Sequence, residues 1–339
     1  MAALAPSAMA SEVAESAAVV SRILRNRPVI REIARQLDIG ASSLAVLCGR
    51  GSSGHVGVFL RYLIETRLGL PVSTSAPSVI TAFRKTLALR DALFIVVSQS
   101  GRSPDLVAAT MSARASGART VAIVNAVRSP VADAAEFVIP IDAGPEKSVA
   151  ATKSVVGCMA AGAELVAAWA GDTGLASALD RLPNRLDRAL TLDWSEVSDD
   201  LAGATAVFIA SRGLGLSSAR EIALKMAEIL QLPALGFSAA ELLHGPRAAL
   251  SSRTPVIVLR MKDETSPTVD ALVSELSAQR IAVHVCGAAG TLPWLGDDDP
   301  ASDAITMLVP AYRMIESTAR KWGFDPDRPP NLSKITETY

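Results

Sequence analysis

Cysteine is scarce in this chain: Cys48, Cys158 and Cys286 are its only three. An odd number at wide spacing, each in an apolar context, excludes a disulfide framework and a metal-binding cysteine pattern, and predicts buried reduced thiols in a cytoplasmic protein. Long hydrophobic runs are also missing. Half of the 339 residues are hydrophobic, yet a typical apolar stretch, 154–163, is bounded by Lys153 and Glu164, well short of the ~20 residues of a membrane span. The N-terminus, MAALAPSAMASEVAESAAVV, has no basic segment and carries Glu12 and Glu15, which argues against a signal peptide. An excess of charge of either sign is absent too: 33 Lys+Arg stand against 34 Asp+Glu, for a net charge of −1. Nucleic acid is therefore not the expected main partner.

Short apolar runs punctuated by glycine recur throughout. SSLAVLCGRGSSG (42–54) reads as a strand and a Gly/Ser turn, followed by a helical pattern; ALFIVVSQSGRSPD (92–105) repeats the theme, and TVAIVNAVRSP (120–130) and EFVIPIDAG (136–144) add strands. From about residue 203 the pattern begins again with ATAVFIASRGLG (204–215), the helical LSSAREIALKMAEIL, and strands predicted in TPVIVLRMK (254–262), IAVHVCG (281–287) and AITMLVP (304–310). Strands of β-branched and apolar residues alternating with helices predict parallel sheets covered on both faces. Arg50-Gly51 and Arg212-Gly213 occupy the same strand-to-helix junction in the two halves, as an internal duplication would place them. The segments expected are an N-terminal arm and helix (1–40), a first α/β half (41–180), a charged helical connector (181–202), a second half (203–325) and a polar tail (326–339).

SQSGRSPD (98–105) ends an apolar strand and opens a helix, and its Ser98, Ser100 and Ser103 present hydroxyls. A helix N-terminus offers unpaired N–H groups to an anion, while a plain N-cap would use the same residues. GRGSSG (49–54), with Ser52 and Ser53, sits at an equivalent strand end. It makes a poor dinucleotide fingerprint, because no acidic residue ends the second strand where a ribose would need one. Glu221, Lys225 and Glu228 share one face of a helix, and an exposed ion-pair stripe or a proton-shuttling site would both use that spacing. His244, in AAELLHGP, is either a helix-end residue or an acid/base group presented by the Gly245-Pro246 turn. His284 alternates with Ile281, Val283 and Val285 and reads as structural.

Six motifs in order, GRGSS, SQSGRSPD, EKSVAATKS, EIALKMAE, AAELLHGP and PPNLSKITET, resemble the sugar isomerase (SIS) family: the isomerase half of glucosamine-6-phosphate synthase and, more closely, the SIS-type glucosamine-6-phosphate deaminases. The resemblance implies two tandem SIS subdomains, each a flavodoxin-like three-layer sandwich with a parallel sheet flanked by helices. It implies a homodimer and a phosphorylated amino sugar as ligand, with no metal or organic cofactor. Phosphate contacts would fall to Ser52, Ser53, Ser98, Gln99, Ser100 and Ser103, and sugar contacts to Val149 and Ala151, where the synthase has serine in place of the alanine. Glu228 would carry the proton between C1 and C2 beside Lys225. His244, donated by the partner subunit, would open the ring, and Lys334 matches a lysine that forms a Schiff base in the synthase. No cysteine precedes Cys48, so a cysteine-dependent glutaminase domain is not expected ahead of the first half. Release of ammonia is the direction this implies.

Overall fold

In a computed structural model of the chain, residues 6–279, 281–288 and 290–334 are described. They divide into two compact units, each built on one parallel sheet.

The first unit holds residues 18–146, 153–183 and the chain end from Ser333. Its strands are β1 (Leu44–Cys48), β2 (Val72–Thr74), β3 (Ala92–Ser98), β4 (Arg119–Val124) and β5 (Phe137–Pro140), in the order β2-β1-β3-β4-β5, all parallel. Every residue of β3 is buried, which is why it reads as a continuous apolar run: in a parallel sheet covered on both faces no position is left for a solvated side chain. Val46, Phe94, Val96, Ala122 and Val124 pack against Leu106, Ala109 and Val131 on one face. The helix Lys153–Ala170 covers part of this unit. It is long and apolar enough to cross a membrane by composition alone, yet 83% of it is buried within the protein. A helix apolar all round is the expected signature of such a core position.

The second unit holds the described residues up to Ala17, together with 147–152 and 184–332. Its strands are β6 (Val207–Ser211), β7 (Ala234–Ser238), β8 (Val256–Leu259) and β9 (Val283–Cys286), ordered β7-β6-β8-β9 and parallel. The first four strands of sheet one have this same order, so the duplication expected from the sequence is present in the topology. Gly51 and Gly213 repeat it in detail. Each follows an arginine, and both take positive φ, 49° and 62°, a conformation that glycine adopts without the usual side-chain penalty.

Two assignments differ from expectation. AITMLVP is not a strand: the helices Pro300–Thr306 and Leu308–Lys321 run through it. Asp299 caps the first of these, its side chain accepting from the Ala301 N–H, with Pro300 at the first turn. Residues 304–310 are all buried, and periodicity alone does not separate a buried helical stretch from a buried strand. The second difference is β7, the edge strand ALGFS, which the sequence reading left unassigned. Its Gly236 lies against the Arg220 backbone, where a Cβ would meet the Arg220 Cα at 2.6 Å; close backbone approach is a recognised reason for glycine inside a strand.

Candidate active site

In a sheet ordered β2-β1-β3, the chain leaves β1 toward opposite sides, and ligands of such folds bind outside the carboxyl ends of the strands at that switch point. In the first unit the two hydroxyl-rich loops flank this position. Cys48 and Val96 are register partners, so residues 49–53 and 99–103 leave the same edge of adjacent strands. Ser52 and Ser53 lie in the first turn of the helix Gly51–Leu68, and Ser103 begins the helix Pro104–Ala115. Neither helix has a side-chain cap hydrogen bond. The Ser103 hydroxyl therefore does not cap its helix; the Leu106 N–H is taken instead by Asp105 Oδ1 at 2.9 Å and by the Ser103 carbonyl at 3.1 Å.

The loop after β3 is held from within. Buried Ser98 accepts from the Gly101 N–H at 3.0 Å, Ser100 accepts from the Arg102 N–H at 3.3 Å, and the Gln99 carbonyl accepts from Ala126 at 3.3 Å. Gly101 has φ 64°, and an added Cβ would run into the Ser129 side chain. Arg50 is pinned by Asp105, which accepts its Nε at 2.8 Å and is buried.

The second unit shows how specific that loop is. Ser266-Pro267 stands where the first unit has Ser103-Pro104, which places Asp263 opposite Ser100. One contact of the turn recurs, although Gly101 has positive φ and its counterpart Glu264 does not: Asp263 Oδ1 accepts from the Thr265 N–H at 2.9 Å and from the Thr265 hydroxyl at 2.6 Å. Ser52 and Ser53 are matched by Leu214 and Gly215. The second copy thus keeps this contact and makes it with a carboxylate. Ser100→Asp should accordingly preserve the fold, since an aspartate side chain makes the same contact at position 263. The added charge should weaken binding of a phosphate ester roughly 100-fold; an unchanged dissociation constant in calorimetric titration would remove Ser100 from the site.

The acid/base candidates of the second unit lie on the helix Gly215–Leu230. Lys225 and Glu221 are both 1% exposed, so this face is not an exposed ion-pair stripe. Lys225 bonds Glu228 and stands 3.7 Å from Glu221. Glu221 accepts a hydrogen bond from the buried Tyr312 hydroxyl at 3.2 Å. Glu228 alone of the two carboxylates reaches solvent, with a side chain 23% exposed. It lines a hollow of about 490 Å³ with Gln231, Leu232, Pro330, Asn331 and Leu332. His244 ends the helix Ala239–His244, is exposed, and makes no hydrogen bond among the described residues. Gly245 is helical (φ −86°, ψ −48°) and the chain continues into a 3-10 turn, Pro246–Ala249, so the expected stiff break after His244 is replaced by a continued helical path.

Lys334 belongs to the first unit and donates to Glu146 at 3.1 Å. Buried Glu146 also accepts the Ser154 N–H at 3.1 Å and the Ser154 hydroxyl at 2.7 Å, at the start of the helix Lys153–Ala170. Val149 belongs to the second unit, its N–H bonded to the Asp327 carbonyl at 3.1 Å, and Ala151 lies on the same short segment. His284 bridges to Asp200 at 2.8 Å, in keeping with its structural reading. Two buried groups beside the candidates escaped the sequence reading: Glu146 and Tyr312. Glu146 stands inside a motif already singled out, and Glu221 was read only by its spacing. Tyr312 lies in the stretch of mistaken assignment and gave no local signal.

Two parallel sheets of the same strand order, joined by helical crossovers, define an α/β protein with an internal repeat. The profile of the SIS domain matches residues 41–168 and 200–288, well over half of the chain, and the chain belongs to the SIS-domain family. The glutamine–fructose-6-phosphate aminotransferase (isomerizing) of Symbiobacterium thermophilum is 34% identical over 326 residues, covering 88% of this chain and 52% of that protein; the chain spans about half the length of the curated relatives it matches. Among solved structures, a candidate phosphosugar isomerase of Silicibacter pomeroyi superposes with a TM-score of 0.91 at 36% identity, covering 95% of this chain and all of that one. The C-terminal domain of glucosamine-fructose-6-phosphate aminotransferase from Francisella tularensis shares the fold, with a TM-score of 0.86 at 21% identity over 97% of this chain and all of that one.

Proposed function

We propose that the chain is a deaminating phosphosugar isomerase that converts glucosamine 6-phosphate to fructose 6-phosphate and ammonia. The observation that carries this reading is Lys225, buried and bound to Glu228, whose carboxylate is the solvent-reaching member of the cluster. A carboxylate so placed takes and returns a proton, with the adjacent ammonium stabilising negative charge that develops on the reacting atoms.

In this reading Ser52, Ser53, Ser98, Gln99, Ser100 and Ser103 serve the phosphate, and Val149 and Ala151 the sugar. His244 assists opening of the pyranose ring, in the site of a second copy of the chain. Glu228 removes the C2 proton of the open aldehyde, giving an enolamine, and returns it at C1. The product is a C2 imine with C1 reduced to the hydroxymethyl level. Water adds to C2, ammonia departs, and the ketose remains. The amine activates C2 by itself, so no step calls on a metal or organic cofactor.

All three cysteines are buried, and burial pushes the Cys48 thiol up to about 12 and raises Cys158 and Cys286 as well, so none of them is a ready nucleophile in this reaction. A second reading, aldose–ketose isomerisation without nitrogen loss or deamination of an epimer such as galactosamine 6-phosphate, draws support from the likeness to the Silicibacter pomeroyi protein. The deciding experiment supplies the chain with glucosamine 6-phosphate, galactosamine 6-phosphate and unaminated aldose phosphates, and follows ammonia and ketose separately. Ammonia and fructose 6-phosphate in equal amounts from glucosamine 6-phosphate are expected. Ketose formed only from unaminated sugars would establish the second reading instead.

A further inference from the structure

Lys225 lies between two carboxylates of unlike surroundings. Glu221 is shut off from solvent and receives the Tyr312 hydroxyl at 3.2 Å; Glu228 reaches the hollow beside Pro330 and Asn331. This asymmetry matters once a proton moves. When Glu228 accepts the C2 proton it becomes neutral, and the buried ammonium has one carboxylate charge fewer beside it. Taking a counter-charge away from a buried ammonium is costly and favours loss of its proton. Glu221 stands 3.7 Å away, close enough to be the counter-charge for that interval. As a carboxylate it is stabilised by an accepted hydrogen bond, and the Tyr312 hydroxyl supplies one.

Resting on the proton-transfer role read for Glu228, we propose that Tyr312 is a positioning residue for the reaction. It acts through Glu221, holding that carboxylate ionised and aimed at Lys225, so that Lys225 stays an ammonium while Glu228 carries the proton. Tyr312 touches no reacting atom. It lies on the buried helix Leu308–Lys321, 91 positions from Glu221, so helix packing sets the distance between hydroxyl and carboxylate.

The test is Tyr312→Phe, which keeps the ring in its packing site and removes the hydroxyl alone. Without the donor Glu221 protonates more readily and Lys225 loses its proton more readily. The range of pH over which both are charged narrows from both sides. We expect kcat to fall roughly tenfold with KM within about twofold, and the alkaline limb of kcat to move about one pH unit lower. A purely structural hydroxyl would lower the melting temperature and leave the pH profile superimposable on that of the unmodified chain; that result, or a loss confined to KM, overturns the proposal. The side-chain ammonium of Lys225, followed by nitrogen NMR against pH in the free protein, supplies a readout that needs no substrate. Its titration should shift to lower pH in Tyr312→Phe, and an unmoved titration overturns the proposal even if turnover changes. Should no sugar phosphate be turned over by the unmodified chain, the reading of Glu228 fails, while the lysine titration still decides the role of Tyr312.

Discussion

Glu228→Gln should abolish turnover, lowering kcat by about three orders of magnitude or more, as expected when a group made for one proton transfer is removed. The amide is nearly isosteric and leaves Lys225 with Glu221 at 3.7 Å, so the fold should be undisturbed. Two measurements separate this from general damage. Solvent-deuterium incorporation at C2 of the sugar should vanish, while the dissociation constant for the sugar phosphate changes by less than about threefold. Retained exchange at C2 would mean that another group is the base. The same variant tests the placement of His244, which is exposed and free to serve a neighbouring copy. Mixed with His244→Ala under conditions of subunit exchange, Glu228→Gln should regain a fraction of the activity that each variant lacks alone. Absence of any recovery after demonstrated exchange would keep His244 within its own chain.

The largest expected effect on stability lies at Arg185. Its guanidinium is 4% exposed and donates to Asp303 at 2.6 Å, Ser302 at 2.6 Å, the Leu295 carbonyl at 2.6 Å and Asp297 at 2.9 Å. Asp303 is fully buried. Burial pushes its carboxyl up to about 7 against the opposing pull of Arg185, with Asp297 and Asp298 adding to the rise. Its folded pKa thus lies above the ordinary value of 3.8, so its contribution to stability is fully present below about pH 4 and is lost as pH climbs through about 7. Arg185→Met removes the only cation bonded to that carboxyl among the described residues. At pH 8 the variant should be destabilised by about 3–5 kcal/mol, because an ionised carboxylate is left buried and unpaired. At pH 5 the carboxyl takes up a proton and the loss should be markedly smaller. Urea melts at the two pH values check this, and equal losses at both would show that the charge of Asp303 is not what Arg185 offsets.

What could be read in advance followed the range of the interactions. The strands β1, β3 and β6 are short apolar runs ending in glycine turns and β8 is a short apolar run ending in a polar one, and each is a property of five to ten adjacent residues. The serine loops at 49–54 and 98–105 were legible for the same reason, since a strand end and a helix start are neighbours in the chain. Local spacing also placed Glu221, Lys225 and Glu228 on one face, but it left open whether that face was wet. Burial of Lys225 decides this, and its neighbour Glu221 meets Tyr312 from a helix 91 positions away in the chain. Glu146 went unnoticed because its partner Lys334 is 188 positions away. The helices within 300–310 were misread because complete burial erases the polar face that gives an amphipathic helix its period. The Asp299-Pro300 start, a cap followed by a proline, was the local sign that would have corrected it.

Asp263 makes the two copies of the repeat unequal. The carboxylate at Asp263, with Leu214 and Gly215 in place of the serine pair, leaves the second loop with a negative charge where the first has only hydroxyls. An anion approaching the second loop meets repulsion and no serine pair, so the repeat is symmetric in its strands and unlike in its charge.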